Sequence, residues 1–128
     1  MYKFLVQTSL VFGLIYYRIF CMITIGVDIT SIKRFEDKKI NFIKKVLSDN
    51  EFIEWEKTEN KLLYLAQRWA IKEALFKANN NLHDYHLINI ERDKKGIFKY
   101  KNYKISTSKE NEYVIAFVIG EIKNMICS

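Results

Sequence analysis

Apolar positions along this chain change their spacing several times, and each change marks an element. Ile23 to Ile29 (ITIGVDI) is short, β-branched and almost wholly apolar, which predicts a buried strand. After Ser31, a potential N-cap, the spacing widens to that of a helix through Ile32, Phe35, Ile40, Phe42, Ile43, Val46 and Leu47. It slips over Glu36 to Lys39, so the helix is expected in two pieces. Ser48-Asp49-Asn50-Glu51 has capping-box spacing and predicts a helix start ahead of Phe52, Ile53 and Trp55. Lys61 to Ala78, rich in Leu, Ala, Lys, Gln and Glu, predicts the longest helix. Asn79-Asn80-Asn81 should end it, because Asn tolerates the left-handed conformation of a C-cap. His83 to His86 reads as loop. Strands follow at Leu87–Arg92, Ile97–Tyr100, Tyr103–Thr107 and Tyr113–Ile122, joined by Asp93-Lys94-Lys95-Gly96 and Lys101-Asn102. The order strand, helices, strands is that of an α+β domain, a small antiparallel sheet packed against a long helix and shorter ones.

The first 21 residues break the pattern. Met1 to Cys21 has no acidic residue and only two basic ones, Lys3 and Arg18, with 14 uncharged residues between them. A signal peptide would need a small-residue cleavage site, and the run ends instead in Tyr16, Tyr17, Arg18, Ile19 and Phe20. A spanning helix would need about 20 apolar residues. The reading favoured is an extension ahead of a natural start at Met22, immediately before the strand pattern; a membrane anchor is the alternative. The expected organisation is therefore an apolar extension, 1–21, and one domain, 22–128.

Length and composition narrow the class. At 128 residues, 49% hydrophobic and 28% charged, the chain has the size and make-up of one globular domain. Two cysteines, Cys21 and Cys127, exclude a disulfide framework. The net charge of +6 suits nucleic acid, anionic lipid, an acidic protein or a phosphorylated small molecule. Only Arg18, Arg34, Arg68 and Arg92 are arginines, which tilts against reading of base sequence, where bidentate Arg contacts lead.

Four groups could carry chemistry. Asp28 is a lone carboxylate in an apolar strand; it either binds or pairs with a cation, or sits at the strand end and caps the next helix. Gly26, two residues before, shares its face and is expected to leave open space beside it. Glu73 and Lys77, four apart on the long helix, could hold a metal and a phosphate, or form an ordinary exposed ion pair. Ser106-Thr107-Ser108-Lys109 could hold phosphate oxygens, or be a polar strand end. His83 and His86 lack the companions of a transition-metal site and read as solvent-facing. No GxGxxG, P-loop, GxSxG or CxxC is present, so dinucleotide, P-loop, serine-hydrolase and zinc-ribbon mechanisms have no support.

Together these pieces resemble the holo-[acyl-carrier-protein] synthases, small phosphopantetheinyl transferases. The GxGxDI strand of that family is similar to Thr24-Ile25-Gly26-Val27-Asp28-Ile29. Its RxAxKEAxxKA helix matches Arg68-Trp69-Ala70-Ile71-Lys72-Glu73-Ala74-Leu75-Phe76-Lys77-Ala78 at every fixed position. Val46–Glu51 (VLSDNE), Ser106–Lys109 and Glu112-Tyr113-Val114 resemble further family segments. The resemblance covers Met22 to about Ile122. It implies a 4′-phosphopantetheinyl transferase-like fold and transfer of 4′-phosphopantetheine from coenzyme A to a serine of apo-acyl carrier protein, with Mg²⁺ as cofactor. The other product would be adenosine 3′,5′-bisphosphate. By the same resemblance Asp28 and Glu73 would hold the metal, and Lys77 would act with them in catalysis. Coenzyme A would be bound by Arg68, Lys77, Ser106, Ser108 and Lys109. Lys33 and Arg34 would meet the acidic carrier protein. A cytoplasmic homotrimer with active sites between subunits is implied, and nucleic acid is not an expected partner. Three positions depart from the pattern. Thr24 replaces the first glycine and is expected to narrow the space beside the metal. Asn79 to Asp84 replaces a Gly-rich loop, and Lys109 stands where the family often has His. The competing readings are a basic, non-catalytic module for nucleic acid or acidic proteins, and a weakly active relative held at a membrane by its first 21 residues.

Overall fold

The computed structural model describes residues 23–121, so the expected extension Met1–Cys21 and the end of the last expected strand at Ile122 lie outside the described residues. Strand β1 (Ile23–Ser31) is longer than ITIGVDI and takes Ser31 into the sheet opposite Tyr113. Ser31 makes no side-chain cap, correcting that expectation; the chain is turned instead by the Ile32 N–H donating to Glu112 O at 2.7 Å. The slip in apolar spacing is a real break, between a 3₁₀ turn at Ile32–Phe35 and helix α1 (Ile40–Val46). Helix α2 (Asp49–Lys57) opens on a complete capping box. Glu51 N–H donates to Ser48 Oγ at 3.2 Å, and Ser48 N–H to Glu51 Oε1 at 2.8 Å.

Helix α3 (Lys61–Ala78) has the bounds expected from sequence, with the Asn60 side chain accepting from Leu63 N–H at 3.1 Å. Its far end is built differently. Asn79 is extended (φ −152°), not left-handed. The Thr24 hydroxyl donates to Ala78 O at 2.6 Å, and the Asn79 side chain accepts from Asn81 N–H and donates to the Tyr103 hydroxyl. Thr24 therefore ties the helix terminus to β1.

Four strands complete the sheet: β2 (Glu91–Arg92), β3 (Phe98–Tyr100), β4 (Tyr103–Glu110) and β5 (Tyr113–Glu121). All neighbours are antiparallel in the order β1-β5-β4-β3-β2. The expected strand at Leu87–Arg92 shrinks to two residues because Tyr85–Leu87 forms a 3₁₀ turn tied to the helices. The inner face of β5 (Val114, Ala116, Val118) packs on Leu65, Ala66, Ala70, Ile71, Ala74 and Leu75 of α3, all buried. Gly26 lies beneath this helix, where a Cβ would run into the Ala74 carbonyl oxygen. The open space expected beside Gly26 is filled by helix backbone, which is why glycine is needed there. Among the described residues of the single chain, nothing covers the outer face. It presents Ile23, Ile25, Val27 and Ile29 beside Ile115, Phe117 and Ile119, all 37–61% exposed. No helix among the described residues is long and apolar enough to cross a membrane.

Candidate active site

Asp28 sits in the middle of β1 opposite Ala116, facing α3, and caps no helix. Direct backbone approach at Gly26 brings α3 close enough for Lys77 to cross to the strand. Its ammonium donates to Val27 O at 2.8 Å and to Asp28 Oδ1 at 3.2 Å. Among the described residues Lys77 therefore pairs with the strand carboxylate, not with Glu73 one turn before it. Asp28 is 14% exposed at its side chain, and its second oxygen is buried without a hydrogen-bond partner among the described residues. A buried carboxylate oxygen left unpaired is costly unless a cation completes it.

Glu73 reaches the same place through Tyr85. The Tyr85 hydroxyl is held far above its ordinary pKa, by burial first and then by the charge of Glu73 and a hydrogen bond to it, with Asp28 contributing too. Asp28 and Glu73 thus both lie near the Tyr85 phenol, and Lys77 contacts Asp28 directly. Oxygen donors of this kind suit a hard divalent ion such as Mg²⁺, which takes one or two carboxylates and completes its shell with phosphates and water. Among the described residues no group of three or more His, Cys, Asp or Glu could hold a metal by itself.

A cavity of about 550 Å³ adjoins this cluster, lined by Phe42, Lys44, Lys45, Trp69, Tyr85 and His86 among others. Trp69, one turn before Glu73, packs against Phe35, Phe42 and Tyr85 with ring centroids 5.6–5.9 Å apart. Arg34 lies over the Trp69 ring at 5.0 Å and Lys38 over Phe42 at 4.9 Å, giving the aromatic wall a basic rim. Lys33 turns elsewhere, to Glu112 at 3.0 Å, and that carboxylate raises its pKa. The two basic residues expected to work together are divided, and only Arg34 faces the aromatic wall.

Arg68 is 3% exposed and stands nine residues before Lys77, about 13 Å along the helix axis. Its guanidinium lies over Tyr64 at 3.9 Å and Phe98 at 4.9 Å, near Glu51 and Glu54. Burial lowers its pKa, against the opposing charges of Tyr64, Glu51 and Glu54. It lines a second cavity, about 330 Å³, with Arg92, Gln67 and Asn60. Ser106 and Ser108 point to the outer face of the sheet, opposite Phe117 and Ile115, away from Asp28. Thr107 opposes Ala116 and shares the inner face with Asp28; Lys109 is exposed at the strand end, opposite Val114. Within one chain, then, Asp28 and Lys77 come together with Glu73 near the adjoining Tyr85, and Arg68, Ser106, Ser108 and Lys109 stand apart.

Tyr85, Trp69 and the cavity were not found by sequence reasoning. Tyr85 follows no periodic pattern, and Trp69 stands at a variable position of its motif. His86, read as solvent-facing, is only half so: its Nδ1 donates to Lys44 O and Leu47 O, each at 2.9 Å, at the end of α1.

Comparison with known proteins follows the same lines. Residues 24–118 match the model of the 4′-phosphopantetheinyl transferase superfamily. A holo-[acyl-carrier-protein] synthase of Mycoplasmopsis pulmonis is 48% identical over 97 residues, covering 76% of this chain and 89% of its own. Among solved structures, the holo-[acyl-carrier-protein] synthase of Neisseria meningitidis superposes with a TM-score of 0.67 at 29% identity, covering 77% of this chain and 97% of that one. The Bacillus anthracis enzyme, in complex with CoA (3′,5′-ADP), gives a TM-score of 0.69 at 27% identity, with 78% and 97% covered.

Proposed function

The chain belongs to the 4′-phosphopantetheinyl transferase superfamily, and from that premise we propose how its residues divide the work. It is a holo-[acyl-carrier-protein] synthase: it transfers 4′-phosphopantetheine from coenzyme A to a serine of apo-acyl carrier protein. The observation that carries the site assignment is the buried, unpartnered oxygen of Asp28, beside Lys77 and within reach of the Glu73–Tyr85 pair.

The serine oxygen attacks the pantetheine-bearing phosphorus of the pyrophosphate. The bond from that phosphorus to the bridging oxygen breaks, and adenosine 3′,5′-bisphosphate leaves with the electron pair. Asp28 and Glu73 are the residues that would hold Mg²⁺, which when bound supplies positive charge to the phosphate oxygens. Lys77 holds the inner end of the pyrophosphate by exchanging its Asp28 contact for phosphate oxygen. In this reading Glu73 accepts the serine proton through a water. Arg68 and Arg92 line a polar cavity, with Glu54 beside Arg68, that we assign to the nucleotide end of coenzyme A. Arg34, with Lys38, Lys44 and Lys45, offers an acidic carrier protein its rim; Lys33, already paired with Glu112, contributes less.

The exposed apolar outer face supports a homotrimer. Ser106 and Ser108 stand on that face, so they reach coenzyme A only from a neighbouring subunit, with Lys109 at its edge. We place the enzyme in the cytoplasm, with its two substrates.

The test is incubation with apo-acyl carrier protein, coenzyme A and Mg²⁺, followed by mass measurement. The carrier should gain one phosphopantetheine, and the gain should vanish when a chelator removes the metal. No gain across several carriers, with a folded enzyme, overturns the reading.

A further inference from the structure

A cluster of side chains at the far end of α3 has no part in that scheme. We infer that Tyr103 is a positioning residue: by holding Asn79 it fixes the last turn of α3, and so sets where the Lys77 ammonium stands, an inference that rests on Lys77 holding the pyrophosphate as proposed above.

The clamp is built across three strands. Thr24 on β1 stands opposite Gly120 on β5. The Tyr103 ring, from β4, lies over Gly120, where a Cβ would run into it. Glycine there opens a path along the inner face of the sheet, and the tyrosine fills it. The ring also stacks on Tyr100, with centroids 6.1 Å apart and planes at 17°. Held between a strand and a second ring, the phenol brings its hydroxyl to the end of α3, where it accepts from the Asn79 side-chain amide at 3.2 Å.

The orientation of that amide is set by its other end. Its oxygen accepts from Asn81 N–H at 3.1 Å, which leaves the NH₂ to face Tyr103. The Asn79 backbone is tied as well: its N–H closes the last helical bond, to Leu75 O at 2.8 Å, and its carbonyl accepts from Leu82 N–H at 3.0 Å. Thr24 holds the neighbouring carbonyl, Ala78 O. Helix ends fray, because their last groups lack partners within the helix. Here the last turn is pinned from two strands, through Thr24 and through Tyr103. Both contacts use side chains at positions that depart from the family pattern, Thr24 and the run that begins at Asn79.

Lys77 stands in that pinned turn, one residue before Ala78. Its side chain is half exposed and crosses to Val27 O and Asp28 Oδ1. A long, flexible side chain on a fraying turn loses its aim; on a pinned turn it starts from a fixed Cα, and less freedom is lost when its ammonium engages a phosphate.

The test uses the full chain with Tyr103→Phe, Lys77→Ala and the double substitution. Tyr103→Phe keeps the ring over Gly120 and removes one hydroxyl, so the thermal midpoint should stay within about 5 °C. The Kd for coenzyme A, by isothermal titration calorimetry, should rise about fivefold, while KM for the carrier protein stays within about twofold. In the Lys77→Ala background, Tyr103→Phe should weaken coenzyme A binding no further. Amide hydrogen exchange at Asn79, Asn81 and Leu82 should speed up several-fold, with that at Ile71 unchanged. A Kd within about twofold of wild type in Tyr103→Phe overturns the inference, whatever the midpoint does. So does equal weakening in both backgrounds, which would mean that Tyr103 acts without Lys77. An unchanged Kd in Lys77→Ala alone would instead sink the assignment of Lys77 to the pyrophosphate, whatever Tyr103 does.

Discussion

Two lysines five residues apart on α3 meet two carboxylates in opposite ways. Lys72 is fully buried, and its ammonium is divided among Glu51, Val46 O and Tyr85 O. Glu51 is just as fully used, by Lys72, by the Ser48 and Ile90 amides, and by proximity to Arg68. Burial lowers the Lys72 pKa to about 8 against the pull of Glu51. Lys77 is half exposed, its ammonium donates to Val27 O and Asp28 Oδ1 of β1, and among the described residues one Asp28 oxygen is left without a partner. The first pair is closed and the second is open. A saturated ion pair welds elements together; an unsaturated one at a surface is where a ligand can complete the set.

The largest expected effect is at the closed pair. Lys72→Ala leaves Glu51 buried and uncompensated and should cost about 3–5 kcal/mol of stability, read by urea unfolding. A cost below 1 kcal/mol would mean that the weld is not a weld. Next come Asp28→Ala and Glu73→Ala, one at a time. On the proposed assignment each removes metal-holding oxygens and several kcal/mol of stabilisation from the transition state, so turnover should drop at least about a hundredfold. Unfolding midpoints should move little. Near-normal activity in either variant would dissolve the open site. Lys77→Ala comes third: its partly exposed pair contributes about 0–1 kcal/mol to stability, while kcat/KM for coenzyme A should fall about tenfold or more. A stability loss comparable to that of Lys72→Ala would erase the contrast between the two lysines.

The smallest effect concerns pH. The Leu47 carbonyl first, then that of Lys44 and the charges of Asp49 and Asp84, raise the His86 pKa against the opposing effect of burial. The folded state therefore favours imidazolium. The stabilisation is complete below the ordinary imidazole pKa of about 6.5 and is lost as pH rises through the higher folded value. Urea midpoints at pH 5.5 and 8.5, compared between wild type and His86→Asn, should show the wild type losing a modest advantage at the higher pH. An advantage that grows with pH would reverse the assignment.

The elements with strong local signals were legible in the sequence. The capping box at Ser48–Glu51 and the bounds of α3 depend on neighbours in the chain, and both were readable. So was Asp28, because a carboxylate in an apolar strand is conspicuous. Features made by distant segments were not. Ser31 has the chemistry of an N-cap, but pairing with Tyr113 claims it for the sheet. Asn79 has the chemistry of a left-handed cap, but the Thr24 hydroxyl, 54 residues away in sequence, already serves the Ala78 carbonyl. Lys77 and Glu73 have ion-pair spacing, yet the strand carboxylate takes the ammonium. Ser106 and Ser108 sit in a motif that resembles a phosphate site, while strand alternation alone points them outward. Tyr85 carries no pattern at all, since a loop residue is positioned by what anchors the loop.

The contact at Gly26 has one more consequence. Because no side chain lies between β1 and α3 there, the spacing of Asp28 and Lys77 is set by one main chain resting on another. Side chains in a core drift in size as lineages diverge, and packed helices shift to follow them. A backbone-on-backbone stop does not drift. A change of side-chain volume elsewhere in the core thus has less leverage on the Asp28–Lys77 separation than a single Cβ at Gly26 would have.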